Sequence, residues 1–69
     1  MKHLVKRSFS LAGHRTSVAL EPEFWAALEA MARDGGQSLA ALVARLDAMR
    51  DTEHPLASTL RVAALAARD

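Results

Sequence analysis

The apolar residues of this chain change their spacing once, near residue 21, and this change constrains the fold more than any other feature. Before it, the segments 5–11 and 15–20 alternate apolar and polar residues, a period of two that is typical of short strands with one buried face. After it, apolar residues recur at the spacing of a helix. The sequence therefore predicts one mainly α domain over residues 1–69 with a short N-terminal β element.

Three helices are predicted after the change in period. They span residues 22–34, 39–50 and 56–67. Pro22 suits a first helical turn, because its missing N–H would be unpaired there. The glycines at 35–36 can end the first helix in the left-handed conformation, and Ser38 can cap the second. A tight turn is therefore expected between the first two helices.

Apolar stripes on these elements predict the core and the subunit interface. The residues assigned to them are Thr16, Val18, Leu20, Phe24, Leu28, Leu39, Leu42, Val43 and Leu46. Trp25 and Ala32 flank the stripe of the first helix, and the Trp25 indole N–H is expected to face solvent or a carbonyl. On the third helix, Val62 and Leu65 lie away from the main stripe, which indicates a second contact with another subunit or a partner protein.

The size of the chain favours association. A domain of 69 residues hides only about 60% of its unfolded surface when it folds alone. The chain has no cysteine and only three histidines, so neither a disulfide nor a structural zinc site can stabilise it. Oligomerisation is the remaining common solution. A lone strand over 15–20 would have to pair with a second chain, which predicts a homodimer.

The net charge of +1 hides an uneven distribution. Residues 1–15 hold four basic side chains and no acid, whereas residues 16–69 carry a net charge of −3. A basic segment on a mildly acidic body is typical of an anionic partner, most often nucleic acid. No apolar run follows the basic start or is long enough to span a membrane, so we expect a cytoplasmic protein with no secretory signal and no membrane contact.

The sequence gives little support for an enzymatic function. The glycines at 35–36 lie between helices rather than after a strand, so they do not form a phosphate loop. His14 and His54 have no spacing that pairs them with a serine and a carboxylate. The acidic residues around His54 straddle a helix end, where polar residues are common. We therefore expect no enzymatic activity, no metal and no cofactor.

Two long runs resemble the ribbon-helix-helix family. The first is Arg15-Thr16-Ser17-Val18-Ala19-Leu20-Glu21-Pro22-Glu23-Phe24-Trp25, and the second is Gly36-Gln37-Ser38-Leu39-Ala40-Ala41-Leu42-Val43, with Leu28, Met31 and Ala32 between them. Residues 7–18 are also similar to a bacterial subfamily with the run Arg-Ser-x-x-Leu-Ala-Gly-His-Arg-Thr-Ser-Val. The resemblance implies an intertwined homodimer with an intermolecular antiparallel sheet.

The resemblance also implies a function and a set of site residues. It implies a small transcriptional regulator that binds double-stranded DNA. Outward strand residues read bases in Arc-type and methionine-repressor-type relatives, and these correspond to Arg15, Ser17 and Ala19. The site that holds a DNA phosphate in this family corresponds to the backbone amides of Ser38 and Leu39, with Gln37 beside them. Lys6 and Arg7 would be auxiliary phosphate contacts. The alternative is an interaction module or antitoxin-like adaptor that uses the third helix.

Residues 1–12 leave two alternatives open. If 5–11 fold back on 15–20, the dimer sheet has four strands and is about 15 Å wide, more than the major groove at about 12 Å. Such a sheet favours shallow backbone contact or a protein partner. If residues 1–12 are instead a flexible basic arm, a two-stranded ribbon can enter the groove and the arm adds electrostatic affinity.

Overall fold

A computed structural model describes residues 3–67. The elements follow in the order β1 (Val5–Leu11), β2 (His14–Leu20), α1 (Pro22–Asp34), α2 (Leu39–Met49) and α3 (Leu56–Ala66). The two strands form one antiparallel sheet, with α2 packed against β1, α3 against β2, and α1 against both other helices. This order confirms the predicted mainly α fold with an N-terminal β element.

The two strands are paired within the same chain. Val5 lies opposite Leu20 and Leu11 lies opposite His14, so only Ala12 and Gly13 connect the strands. Both connecting residues have positive φ, at 51° and 81°, as a two-residue type I′ hairpin turn requires. Of the two alternatives for this segment, the structure therefore has the strand. The alternative of a flexible basic arm over residues 1–12 is wrong for residues 5–11, which form β1, while residues 1–2 lie outside the described range. β2 is therefore not a lone strand.

The hydrophobic core closes within one chain and draws on every element. Its buried residues are Phe9, Leu11, Val18, Leu20, Trp25, Leu28, Ala32, Leu42, Val43, Leu60 and Ala64. Leu20, Leu28, Val43 and Leu60 are completely inaccessible to solvent. Because α3 covers β2 and the hairpin covers the helices, no second chain is needed to bury these side chains.

The buried face of α1 is rotated from the predicted stripe. Trp25 and Ala32, expected at its flanks, are each only 2% exposed, whereas Phe24 is half-buried. The Trp25 ring packs 5.8 Å from the Phe9 ring, and its indole N–H donates to the Val5 carbonyl at 2.7 Å. The hairpin lies on this side of the helix, so the large ring turns inward. The expected hydrogen bond to a carbonyl is confirmed.

The connection between α1 and α2 agrees with the sequence prediction. Gly36 adopts the left-handed conformation at φ 69°, and the Gln37 N–H donates back to the Ala32 carbonyl at 2.9 Å. Ser38 caps α2 through its hydroxyl, which accepts from the Ala41 N–H at 3.0 Å. This turn fixes where the N-terminus of α2 lies.

The outer residues of α3 also behave as predicted. Leu60 and Ala64 are buried, while Val62 and Leu65 are 62% and 56% exposed. The expectation of apolar residues on two sides of this helix is confirmed. Over the described range 3–67, none of the helices is long and apolar enough to cross a bilayer.

Candidate nucleic-acid interface

The hairpin has two faces with different chemistry. Residues opposite each other in an antiparallel pair share a face, so the register assigns every strand residue to one side. The inner face packs on the helices. The outer face consists of Lys6, Ser8 and Ser10 on β1 and Arg15, Ser17 and Ala19 on β2. The three base-reading candidates on β2 therefore do lie together on the solvent side.

Two cations occupy the outer face. Lys6 lies opposite Ala19 and Arg15 lies opposite Ser10, so the two charges are at opposite ends of the hairpin. Four residues of strand separate these two levels, a distance of about 13 Å. Both side chains are exposed, and neither forms an ion pair with a residue of the described range 3–67. No acidic residue belongs to this face.

The residues between the cations are small. The hydroxyl oxygens of Ser8 and Ser17 are 2.9 Å apart and share a hydrogen bond across the strands. Ala19 contributes only a methyl group and is half-buried. The hydroxyl of Ser17 already has a partner within the hairpin, so the outer face offers few groups that can distinguish bases.

Arg7 lies on the inner face, away from Lys6. Its guanidinium donates to the Glu29 carboxylate at 2.8 Å and lies 5.1 Å from the centre of the Trp25 ring. The side chain is 38% exposed, and its charge is neutralised by α1. Nothing in the sequence indicated this pairing, because Arg7 and Glu29 are 22 positions apart and follow no common period.

The N-terminus of α2 presents free backbone donors. The Ser38 hydroxyl accepts the Ala41 N–H, which leaves the backbone N–H groups of Ser38, Leu39 and Ala40 without partners within residues 3–67. No acidic side chain lies in the first turn, and Gln37 is half-buried beside it. The helix dipole and these donors favour an anion here.

The polar residues at the end of α2 serve the backbone and each other. Arg50 pairs with Asp47 at 3.1 Å and donates to the His54 carbonyl at 2.8 Å. The Asp51 carboxylate accepts the Glu53 N–H at 3.0 Å. Across residues 3–67, no group of three histidine, aspartate or glutamate side chains has the proximity that a metal ion requires.

A family model for the ribbon-helix-helix domain matches residues 4–67, nearly the whole chain. This chain belongs to the ribbon-helix-helix family. Ribbon-helix-helix domains are generally DNA-binding transcription regulators and typically form homodimers. No curated protein and no solved structure gives a significant match.

The ribbon-helix-helix elements correspond to consecutive parts of the structure. The strand immediately before two consecutive helices is β2, followed by α1 and α2. β1 lies beside that strand and α3 packs beneath it. This ribbon-helix-helix domain therefore carries an additional strand and an additional helix, both in contact with the ribbon strand.

Proposed function

We propose that this ribbon-helix-helix protein is a DNA-binding transcriptional regulator that binds the DNA backbone as a homodimer. The observation that carries the proposal is the outer face of the hairpin, where Lys6 and Arg15 project from small neutral residues with no acid among them. Arg7 is not part of the proposed surface, because it is bound to Glu29 on the other face.

The free edge of β2 supports a specific dimer. Leu11 and His14 flank a two-residue turn and form a hydrogen-bonded pair, so hydrogen-bonded pairs recur at every second position along the hairpin. The N–H and C=O groups of Arg15, Ser17 and Ala19 therefore point away from β1. An exposed strand edge of this kind is a template for pairing with another chain.

A two-fold axis through Ser17 pairs every free backbone N–H and C=O group of Arg15, Ser17 and Ala19 with the second chain. It places Ser17 opposite its own copy and Arg15 opposite the partner's Ala19, so all three residues of each edge are paired. The apolar side chains of both β2 strands stay on the inner face, because this register preserves their alternation. A shift of the axis by one residue along the strand leaves some of these edge groups unpaired.

This dimer arranges its cations in two rows. Lys6 lies beside Ala19, and Ala19 lies beside the partner's Arg15, so these two cations are two strand spacings apart, about 10 Å. The symmetry-related row lies about 13 Å further along the strands. That separation is close to the width of the major groove, about 12 Å, so each row can contact the phosphates on one side of it.

The width of the four-stranded sheet determines how the dimer would contact DNA. Four strands span about 15 Å and cannot enter the groove as two do. The sheet instead lies across the groove, with phosphates at Lys6 and Arg15 and at the backbone amides of Ser38 and Leu39. Affinity then comes mainly from counterion release and depends steeply on salt.

Fluorescence anisotropy with a mixed-sequence duplex and genomic fragments, at several salt concentrations, tests the proposal. Wild type is expected to bind at low salt, with affinity that falls as salt rises. Lys6→Ala and Arg15→Ala are each expected to weaken binding. Each should also reduce the slope of log affinity against log salt concentration by about one for every phosphate that the protein no longer neutralises.

Arg45→Ala is the matched control. Arg45 is an exposed arginine on α2 that forms no ion pair within residues 3–67, so its removal changes the net charge equally. It is expected to leave the salt dependence unchanged. Absence of binding at low salt, or equal effects of Arg15→Ala and Arg45→Ala, would contradict the proposal.

The exposed Val62 and Leu65 side chains support a second candidate, a protein-interaction module that uses α3. It predicts that Leu65→Asp abolishes capture of a partner protein while DNA affinity is retained. Loss of DNA affinity together with retained capture would contradict it.

A further inference from the structure

The outer face of α3 is apolar and uncharged. Val62 is 62% exposed and Leu65 is 56% exposed, and both lie on the side of the helix opposite buried Leu60, about 200° and 140° around the axis from it. Ser58 and Ala66 share this face and are small. A large apolar pair flanked by small side chains is typical of a contact with another protein surface.

The helix that carries this face packs against the strand whose edge is free. α3 packs against β2, and α2 packs against β1, which lies on the other side of β2 from the free edge. The flank of α3 that is turned away from α2 therefore looks toward the edge where a second β2 would pair. In the β2-paired dimer, the two α3 helices lie side by side beneath the two central strands.

We infer that the Val62–Leu65 face packs against the same face of α3 in a second copy of this chain. The inference rests on the proposed dimer and adds a helical layer beneath its sheet. The two-fold axis makes the two helices antiparallel. If the Val62 side chains meet at the axis, Leu65 lies opposite the partner's Thr59.

The surface at that position is concave. His54, Ser58, Thr59 and Val62 line a shallow depression of about 280 Å³. A leucine side chain from an antiparallel helix fits such a depression, as ridges fit grooves between packed helices at an axial distance of about 8–10 Å. The same chain thus provides both the projecting side chain and the recess.

Charge and area favour a second copy as the occupant. The nearest cation on the helix, Arg61, is held by Glu21 at 3.1 Å and lies over the Phe24 ring, so two copies do not bring like charges together. Stable interfaces bury about 800 Å² on each partner. The α3 contact supplies apolar area where the sheet supplies hydrogen bonds.

Sedimentation across a range of protein concentrations tests the inference. Leu65→Asp is expected to raise the dimer dissociation constant at least tenfold. The control is Met49→Asp, which adds the same charge to an apolar side chain that is 74% exposed on α2, and its effect is expected to be less than twofold. Both positions are exposed, so both variants retain the core, and circular dichroism and thermal unfolding verify this.

A cysteine cross-link separates this inference from the proposed dimer. The chain has no cysteine, so Ser17→Cys places a single thiol at the proposed axis, where two copies are about 5.5 Å apart and can form a disulfide. Ser8→Cys, on the outer strand, would be about 15 Å from its copy and is not expected to cross-link.

Each outcome has one meaning. Rapid oxidation of Ser17→Cys together with weaker association of Leu65→Asp supports both contacts. Rapid oxidation with an unchanged dissociation constant for Leu65→Asp overturns the α3 contact alone and leaves its face to solvent or another protein. Equal cross-linking of Ser8→Cys and Ser17→Cys, or a monomer at all concentrations, overturns the proposed dimer itself.

Discussion

Ala12 adopts a backbone conformation that side chains disfavour. Its φ is 51°, and it is the one residue other than glycine with positive φ in the described range 3–67. Gly13 follows at 81°. The left-handed region disfavours an alanine by about 1 kcal/mol, whereas glycine and asparagine adopt it readily. Gly13 is a residue type that favours this conformation, whereas nothing in the sequence indicates that Ala12 shares it.

Ala12→Asn is therefore expected to stabilise the protein, by about 0.5–1 kcal/mol in the free energy of unfolding. Gly13→Ala is expected to destabilise it by at least as much, because nothing crowds the added Cβ and only the backbone conformation opposes it. Urea unfolding at one protein concentration measures both changes. A loss of stability in Ala12→Asn would mean that the turn is not of type I′.

The role of Arg7 is an example of what the sequence could not predict for a single residue. Its basic charge and its place beside Lys6 suggested a phosphate contact, yet strand alternation puts neighbours on opposite faces. The structure pairs Arg7 with Glu29 and stacks it on Trp25. Alternation alone assigned Arg15 and Ser17 to the outer face, but only tertiary contacts could reveal which cations already had partners.

At the scale of elements, the hairpin decides which backbone groups are free. On β1, the N–H groups of the odd-numbered residues point to β2, and those of Lys6, Ser8 and Ser10 point outward. On β2, the odd-numbered residues 15, 17 and 19 point to the free edge. Each strand therefore has one protected and one unprotected row of amides before any association.

Hydrogen exchange read residue by residue distinguishes the two edges. The Ser17 amide is expected to exchange slowly in the proposed dimer because it would pair with the second copy there, while the Ser8 amide is expected to exchange rapidly. Dilution below the dimer dissociation constant should accelerate exchange at Ser17 and leave Thr16 protected, since Thr16 is bonded to β1. Protection of Ser8 with rapid exchange at Ser17 would place the contact on β1 instead.

The sequence predicted the positions of the helices and strands better than it predicted how they pack together. The residue types at Pro22, Gly36 and Ser38 indicate helix ends by themselves. The turn between α1 and α2 is as predicted. The rotation of α1, which buries Trp25, depends on where the hairpin lies relative to the helix. The alternating run over 5–11 was compatible with an arm or a strand, because pairing depends on contacts that periodicity does not encode.

At the scale of the whole molecule, the closed core separates folding from association. A chain of 69 residues without cysteine was expected to need a second chain to complete its core. The hairpin and α3 complete it within one chain, with Leu20, Leu28 and Leu60 fully buried. The proposed interface therefore joins two folded units.

Dilution is expected to give folded monomers. Sedimentation at micromolar concentration should show twice 7.5 kDa, and dilution should shift it to 7.5 kDa while helical circular dichroism stays constant. An intertwined dimer would instead lose its helices as it dissociates, because its core would be shared. A fall in mass accompanied by a fall in the helix signal would therefore contradict a closed core.

The core that closes within one chain also affects how long the proposed complex with DNA would last. Because each chain keeps its own core, two subunits of the proposed dimer can separate and recombine with new partners without unfolding. Subunit exchange is then expected to follow the dissociation rate rather than the much slower unfolding rate. If the proposed dimer is the form that binds DNA, occupancy of a DNA site follows the square of the free subunit concentration at low concentration. A protein built this way turns a modest change in its own abundance into a larger change in the fraction of sites that it covers.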